Sequence, residues 1–200
     1  MTTDLRERIL DNALDLMAER GAAGTSMRQL AKACDVHVAA LYHYFESKDA
    51  LLTAVIAERN YTGRMAEPLA IDRSAPARDR LAALFGQMWN GALDEEAVWR
   101  LLLGEGIRSE PAALPVGRSL IDALRPGVTS WIAEWLPEVA HPAEAADVIL
   151  GQMFFGFLRY MFEPGLDTHR FEAEAVAVLA TVLLEDLSVP REPRPAPASG

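Results

Sequence analysis

Apolar residues recur at spacings of three and four along the whole chain, and no segment alternates apolar and polar positions as a half-buried strand would. The pattern predicts an all-α protein of about nine helices. The first spans about residues 3–20: Leu5, Ile9, Ala13 and Leu16 mark one face, Leu10, Leu14 and Met17 widen it, and Asp4, Glu7, Asp11 and Asp15 form an acidic stripe. Gly21 and Gly24 stop this helix. Ser26-Met27-Arg28-Gln29 has the form of a capping box and starts a second helix that ends near Cys34. Asp35 and Val36 fit a tight turn, since Asp tolerates a left-handed backbone. A third helix covers about 38–44. Ser47 caps a fourth, with Asp49 favourably placed in its first turn, that runs to about Arg64.

A connector holding Pro68 and Pro76 follows. Beyond it the periodicity predicts helices at about 77–92, 95–104, 116–136 with a break at Pro126-Gly127, 143–162 and 168–187. Residues 188–200, SVPREPRPAPASG, are rich in proline and read as a disordered tail. This divides the chain into an N-terminal module (1–50), a larger helical bundle (51–187) and the tail (188–200).

The module has the form of a helix-turn-helix: two short helices joined by a tight turn, with a supporting helix before them. Leu30, Ala31, Val36 and Leu41 can pack the short helices together, which leaves His37, Val38, Ala39, His43 and Tyr44 facing outward. The second of the two short helices is the one that enters a DNA major groove. Ser26, Arg28, Tyr42 and Lys48 can donate to phosphates, and Arg28 can instead reach a guanine edge bidentately. Phe45 reads as core. Cys34 reads as a small buried hydrophobe, with no local basic cluster to activate its thiol. His37 and His43 lie six residues apart, which is not a same-face ligand spacing, so no metal site is expected.

Composition narrows the function classes. The chain has 200 residues, half of them hydrophobic, and one cysteine, which excludes an internal disulfide framework and a multi-cysteine zinc site. The charged start, MTTDLRERIL, lacks the apolar core of a signal peptide, and the longest apolar run, 148–162, is too short to span a bilayer. A cytoplasmic protein with no membrane association is expected. No nucleophile elbow, Gly-rich phosphate loop or metal-spaced cluster points to an enzyme, and no cofactor is implied. The net charge of −10 argues against broad coating of nucleic acid. Its distribution matters more: residues 1–60 hold seven basic residues against nine acidic ones, so the module is near neutral and focused groove recognition stays open.

Residues 21–52 resemble the TetR-type transcriptional regulators. The family pattern T-[ST]-x-R-x-[IL]-A appears as Thr25-Ser26-Met27-Arg28-Gln29-Leu30-Ala31. Its L-Y-x-[HY]-F-x-[SN]-K-x-x-L pattern appears as Leu41-Tyr42-His43-Tyr44-Phe45, then Ser47-Lys48-Asp49-Ala50-Leu51. Three positions depart from the pattern: Asp35 stands at the turn where the family has Gly, His37 where Ser or Thr starts the recognition helix, and Ala40 where Thr is frequent. The last two remove hydroxyls. With Val38 and Ala39, Ala40 favours apolar contact with thymine methyl groups. The resemblance adds Thr25 to the candidate DNA contacts and turns the hydroxyl of Tyr42 and the ammonium of Lys48 toward phosphate.

The resemblance also implies a homodimer built on the last two long helices, a pseudo-palindromic double-stranded DNA operator, and a repressor released by a small apolar or amphipathic ligand. The matching interface candidates are Phe157, Tyr160, Met161, Val178, Leu179, Val182 and Leu183. The helix at 143–162 is apolar nearly all round and must be covered on most sides. Candidates for the ligand pocket are Phe85, Met88, Trp89, Trp99, Leu102, Glu105, Trp131, Phe154, Phe155 and Leu158, although aromatic residues at helical spacing also serve simply as core. The alternatives are a helical dimeric interaction protein, or a DNA-binding regulator with no small-molecule effector.

Overall fold

A computed structural model of the chain describes residues 5–58 and 71–185. The described residues form helices and no strand: α1 (Leu5–Arg20), α2 (Met27–Ala33), α3 (Val38–Tyr44), α4 (Lys48–Glu58), α5 (Ala77–Asp94), α6 (Glu96–Ile107), α7 (Leu114–Trp135), α8 (Pro142–Phe162) and α9 (Thr168–Ala180), which ends in a π-helical turn over Thr181–Glu185. The tail at 188–200 and the predicted end of the fourth helix at 59–64 lie outside the described residues. The chain divides into two compact units. One joins residues 1–68 to 90–124, and the other joins 69–89 to 125–200.

In the first unit, α1 supplies the stripe on which the others assemble. Ile9, Leu10, Ala13 and Met17 are fully buried, and α1 packs against α2, α4 and α6. Burying a Leu, Ile or Met side chain contributes about 1.5–3 kcal/mol. The core continues through Leu30 and Ala31 of α2, Leu41 of α3, Leu51, Leu52, Val55 and Ile56 of α4, Leu101 and Leu102 of α6, and Leu120 of α7.

The breaks between helices follow from local chemistry. Gly21 closes α1 in the left-handed region (φ +74°), and its N–H reaches the Met17 carbonyl at 2.8 Å. Ser26 and Gln29 form the reciprocal capping box: Ser26 Oγ accepts the Gln29 N–H, and the Gln29 side chain accepts the Ser26 N–H. After α2 the chain makes a Schellman turn. Asp35 takes a left-handed φ of 53°, its N–H meets the Lys32 carbonyl at 3.2 Å, and the Val36 N–H meets the Ala31 carbonyl at 3.0 Å. Arg8 of α1 donates to the Cys34 carbonyl at 2.7 Å and so ties the turn down. Ser47 caps α4 through the Ala50 N–H at 3.0 Å.

The core of the second unit is aromatic. Phe85 and Trp89 of α5 have no exposed surface, and Trp89 meets Phe171 of α9 at 4.7 Å between ring centroids. Val128 and Ile132 of α7, Leu136 just after it, and Ile149 and Phe157 of α8 complete it. Arg80 of α5 is buried and bonded through each of its three guanidinium nitrogens: it donates to the Ala75 carbonyl at 2.9 Å, to the Trp135 carbonyl at the end of α7, and to Glu138. A guanidinium on the last carbonyl of a helix satisfies a group that no intrahelical N–H reaches. The same contact holds the Glu138 carboxyl below its ordinary pKa.

The break expected at Pro126-Gly127 does not occur, and α7 runs unbroken through Pro126. A proline inside a helix costs about 3 kcal/mol or more. Here the helix is held on both sides of it, by Leu120 in the first unit and by Val128 and Ile132 in the second. Arg125 clamps Asp147 of α8 beside it, with Nε at 2.7 Å from the carboxylate. Tertiary burial outweighs the local penalty.

The approach of α8 to α9 requires Gly156. A Cβ there would lie 2.2 Å from the Phe171 ring, whereas one at Gly151 would meet nothing within 4 Å. Gly156→Ala should therefore lower the stability to urea unfolding by about 1–3 kcal/mol through overpacking. Gly151→Ala should leave stability unchanged or raise it by up to about 1 kcal/mol through helix propensity. Equal effects of the two substitutions would contradict this packing.

Candidate nucleic-acid interface

The outward surface of the helix-turn-helix follows from what α2 and α3 bury. Leu30 and Ala31 of α2 and Leu41 and Phe45 around α3 point into the core. With those positions committed, Arg28, His37, Ala39, Tyr42, His43 and Tyr44 are left exposed, and Val38 and Ala40 half-buried. Tyr42 keeps 50% of its surface and Tyr44 38%. His43 and Tyr44 meet edge to face, with ring centroids 5.4 Å apart. His37 occupies the N-cap of α3 but makes no side-chain cap, so its ring is not spent on the helix end. This surface offers a guanidinium, two imidazoles, two phenols and small apolar groups, a set able to read base edges and hold phosphates.

Three of the residues named from the sequence have structural partners. Thr25 is 2% exposed, and its hydroxyl lies 3.2 Å from the Leu16 carbonyl and 3.0 Å from the Gly21 carbonyl. It locks the loop before α2 and has no surface for a phosphate, which corrects its placement among the DNA contacts. Ser26 is exposed, but its hydroxyl works in the capping box with Gln29. Lys48 is half-buried, and its ammonium donates to the Ala22 carbonyl at 2.8 Å. Cys34 is fully buried, and burial pushes its thiol pKa up, only partly offset by Arg8. That is the environment of an inert thiol.

The residues named as ligand-pocket candidates divide between the two units. Trp99, Leu102 and Glu105 belong to the first; Phe85, Met88, Trp89, Trp131, Phe154, Phe155 and Leu158 belong to the second. Phe85, Met88 and Trp89 fill the interior of the second unit, and the Trp89 indole N–H has no hydrogen-bond partner there. Phe154 and Phe155 are instead exposed, at 53% and 55%. Glu105 is 1% exposed and accepts the Ala22 N–H at 2.9 Å, a contact across 83 residues that no local pattern announces. A depression of about 510 Å³ on the first unit is lined by Pro111, Leu114, Pro115, Arg118, Ser119 and Asp122, none of them among the pocket candidates.

The candidate interface residues of α8 and α9 also sort by burial. Phe157 and Leu179 are buried within the chain itself, which leaves them little surface for a partner. Tyr160, Met161 and Leu183 are half-buried, and Val178 and Val182 are exposed at 54% and 49%. Among the described residues no group of three or more His, Cys, Asp or Glu can hold a metal ion, and no helix is long and apolar enough to cross a membrane.

Parts of this chain are similar to known proteins. Residues 9–55 match the model of the bacterial regulatory proteins, tetR family. The HTH-type transcriptional regulator BetI of Rhizobium meliloti is 30% identical over 110 residues, covering 52% of this chain and 53% of BetI. Matched stretches span 25% to 55% of the length of the curated relatives. The reduced form of Escherichia coli NemR superposes over 90% of this chain and 98% of its own, with a TM-score of 0.73 at 20% identity. The Bacillus subtilis transcriptional regulator FadR, in complex with stearoyl-CoA, superposes over 86% and 97%, with a TM-score of 0.64 at 18% identity. At these identities the two structures show a shared fold.

The geometry separates two roles. Thr25→Val removes a buried hydroxyl from two carbonyls and should lower stability to urea by about 1–2 kcal/mol. Tyr42→Phe removes an exposed hydroxyl and should change stability by no more than about 0.5 kcal/mol. A Tyr42→Phe protein as destabilised as Thr25→Val would place Tyr42 in the scaffold.

Proposed function

We propose that this chain, whose residues 9–55 match the tetR family model, is a regulator of that kind: a homodimeric repressor released from a pseudo-palindromic DNA operator by a small apolar or amphipathic ligand. The observation that carries the DNA-binding part is the exposed surface of α3 together with Arg28, on a module whose buried residues hold it in one orientation. Arg28, Tyr42 and Lys48 meet the backbone or a guanine edge, and Val38, Ala39 and Ala40 lie against bases. The functional division falls near residue 50, with DNA binding before it and effector binding and dimerisation after it. The protein works in the cytoplasm, without an enzymatic activity of its own.

The exposed apolar residues of α8 and α9 support the dimer. Val148, Phe154, Phe155, Phe162, Val178 and Val182 keep between 40% and 78% of their surface, and an apolar face of that kind marks an interaction site. A two-fold pair of such chains presents two recognition helices to successive major grooves. The relative FadR in its complex with stearoyl-CoA supports a long-chain amphipathic effector. The effector acts by binding the DNA-free conformation more tightly than the DNA-bound one.

Selection from random duplexes with the full chain should enrich a pseudo-palindrome with half-sites about 10 base pairs apart or a small multiple of that. Val178→Asp should shift sedimentation toward the monomer and weaken binding to the selected duplex by at least about tenfold, through loss of the second half-site. Stearoyl-CoA should raise the melting temperature and release the duplex. Enrichment of a single half-site, or tight binding by a monomeric Val178→Asp protein, would overturn the dimeric reading.

A further inference from the structure

Glu105 lies on α6 with 1% of its surface exposed. Its Oε1 accepts the N–H of Ala22 at 2.9 Å, and the carbonyl of that same residue accepts the Lys48 ammonium at 2.8 Å. Ala22 is thus gripped on both of its backbone polar groups, from α6 on one side and from the start of α4 on the other. Gly21, immediately before it, is in a left-handed conformation. A Cβ there would come within 3.3 Å of Glu105 Oε1, so the loop fits closely around the carboxylate.

Stability alone does not account for an acidic residue at this place. The carboxylate receives one backbone N–H and a contact from Arg108 Nη1 at 3.2 Å, and Arg108 is itself 58% exposed. Oε2 is buried with no hydrogen-bond partner. A buried carboxylate so incompletely satisfied costs more than a well-packed apolar side chain would. What the carboxylate adds is direction. The other buried contacts of α6 with the module run through apolar side chains such as Leu101 and Leu102, and hydrophobic contact is non-directional. The Glu105–Ala22 bond instead sets the position of one peptide.

We propose that Glu105 is a positioning residue for DNA binding: from α6 it fixes Ala22, and through Ala22 it holds Lys48 ready for a backbone phosphate. The inference rests on the reading above in which Lys48 meets DNA. An ammonium has three N–H donors, so one bond to Ala22 leaves two for phosphate oxygens. A lysine already held in place loses less side-chain freedom when it meets DNA. A displacement of α6 that withdraws Glu105 frees Ala22 and Lys48 together, and so lowers DNA affinity without touching the recognition helix.

A double-substitution cycle with the full chain tests this, using the duplex selected by the wild-type protein. Glu105→Leu, which keeps the bulk without the acceptor, should weaken binding about tenfold and reduce the salt dependence by about one phosphate contact. Glu105→Gln, which keeps an acceptor, should stay within about threefold of wild type, and it serves as the test variant if Glu105→Leu does not fold. Lys48→Ala should also weaken binding, and Glu105→Leu combined with Lys48→Ala should bind no more weakly than Lys48→Ala alone. Additive losses, or an unchanged affinity in Glu105→Leu, would overturn the proposal. Amide hydrogen exchange reads the catch without DNA: the Ala22 N–H should exchange faster in Glu105→Leu and near the wild-type rate in Glu105→Gln. Equal Ala22 exchange in all three proteins would also overturn it. A wild-type protein that selects no duplex overturns the functional reading instead, and the exchange measurement still decides whether the catch exists.

Discussion

The first unit depends on one apolar stripe, the face of α1 formed by Ile9, Leu10, Ala13 and Met17. Helices α2 and α3 are seven residues each, far below the length at which an isolated helix is stable in water. They exist because Leu30, Ala31 and Leu41 have a buried surface to pack against. That dependence also sets function. Once Leu41 and Phe45 are committed to the core, the rotation of α3 is set, and the same rotation determines that Tyr42, His43 and Tyr44 face outward.

Polar groups inside the two units are used in contrasting ways. Arg80 is buried with its guanidinium spread over two carbonyls and a carboxylate, and it joins the start of α5 to the end of α7. Glu105 is buried with half of its acceptor capacity unused. The first arrangement suits a permanent joint, and the second suits a contact that can be made and broken. Lys48 stands between these cases, anchored by one donor and free in the others.

The acidic total also has a structural reading. Several of the module's basic residues are occupied at home: Arg6 pairs with Glu58, with Nη1 at 2.7 Å from the carboxylate, and Arg8 holds the Cys34 carbonyl. Arg28 and Lys32 stand exposed on α2. A module with so few available cations relies on placed donors and on shape rather than on a broad positive field.

The capping box at Ser26, the left-handed turn at Asp35, the Ser47 cap and the helix periodicity were all legible in the sequence, because each depends on residues within a few positions of one another. So was most of the outward face of α3, since the pattern of Leu30, Ala31 and Leu41 identifies the inward one, although Val38, read as outward, is half-buried and packs against the core. The continuity of α7 through Pro126 was not legible, because packing at a distance outweighs the local cost of proline. The burial of the Thr25 hydroxyl depends on carbonyls nine and four residues away and on how the loop folds back. The Glu105–Ala22 contact spans 83 residues, and only the packing of α6 against α1 brings the two together. The sequence by itself therefore determined the helices, their caps and the face α3 presents. Only the tertiary structure decided which polar groups are spent inside the fold, because hydrogen bonds between distant segments form only where packing has already brought them together.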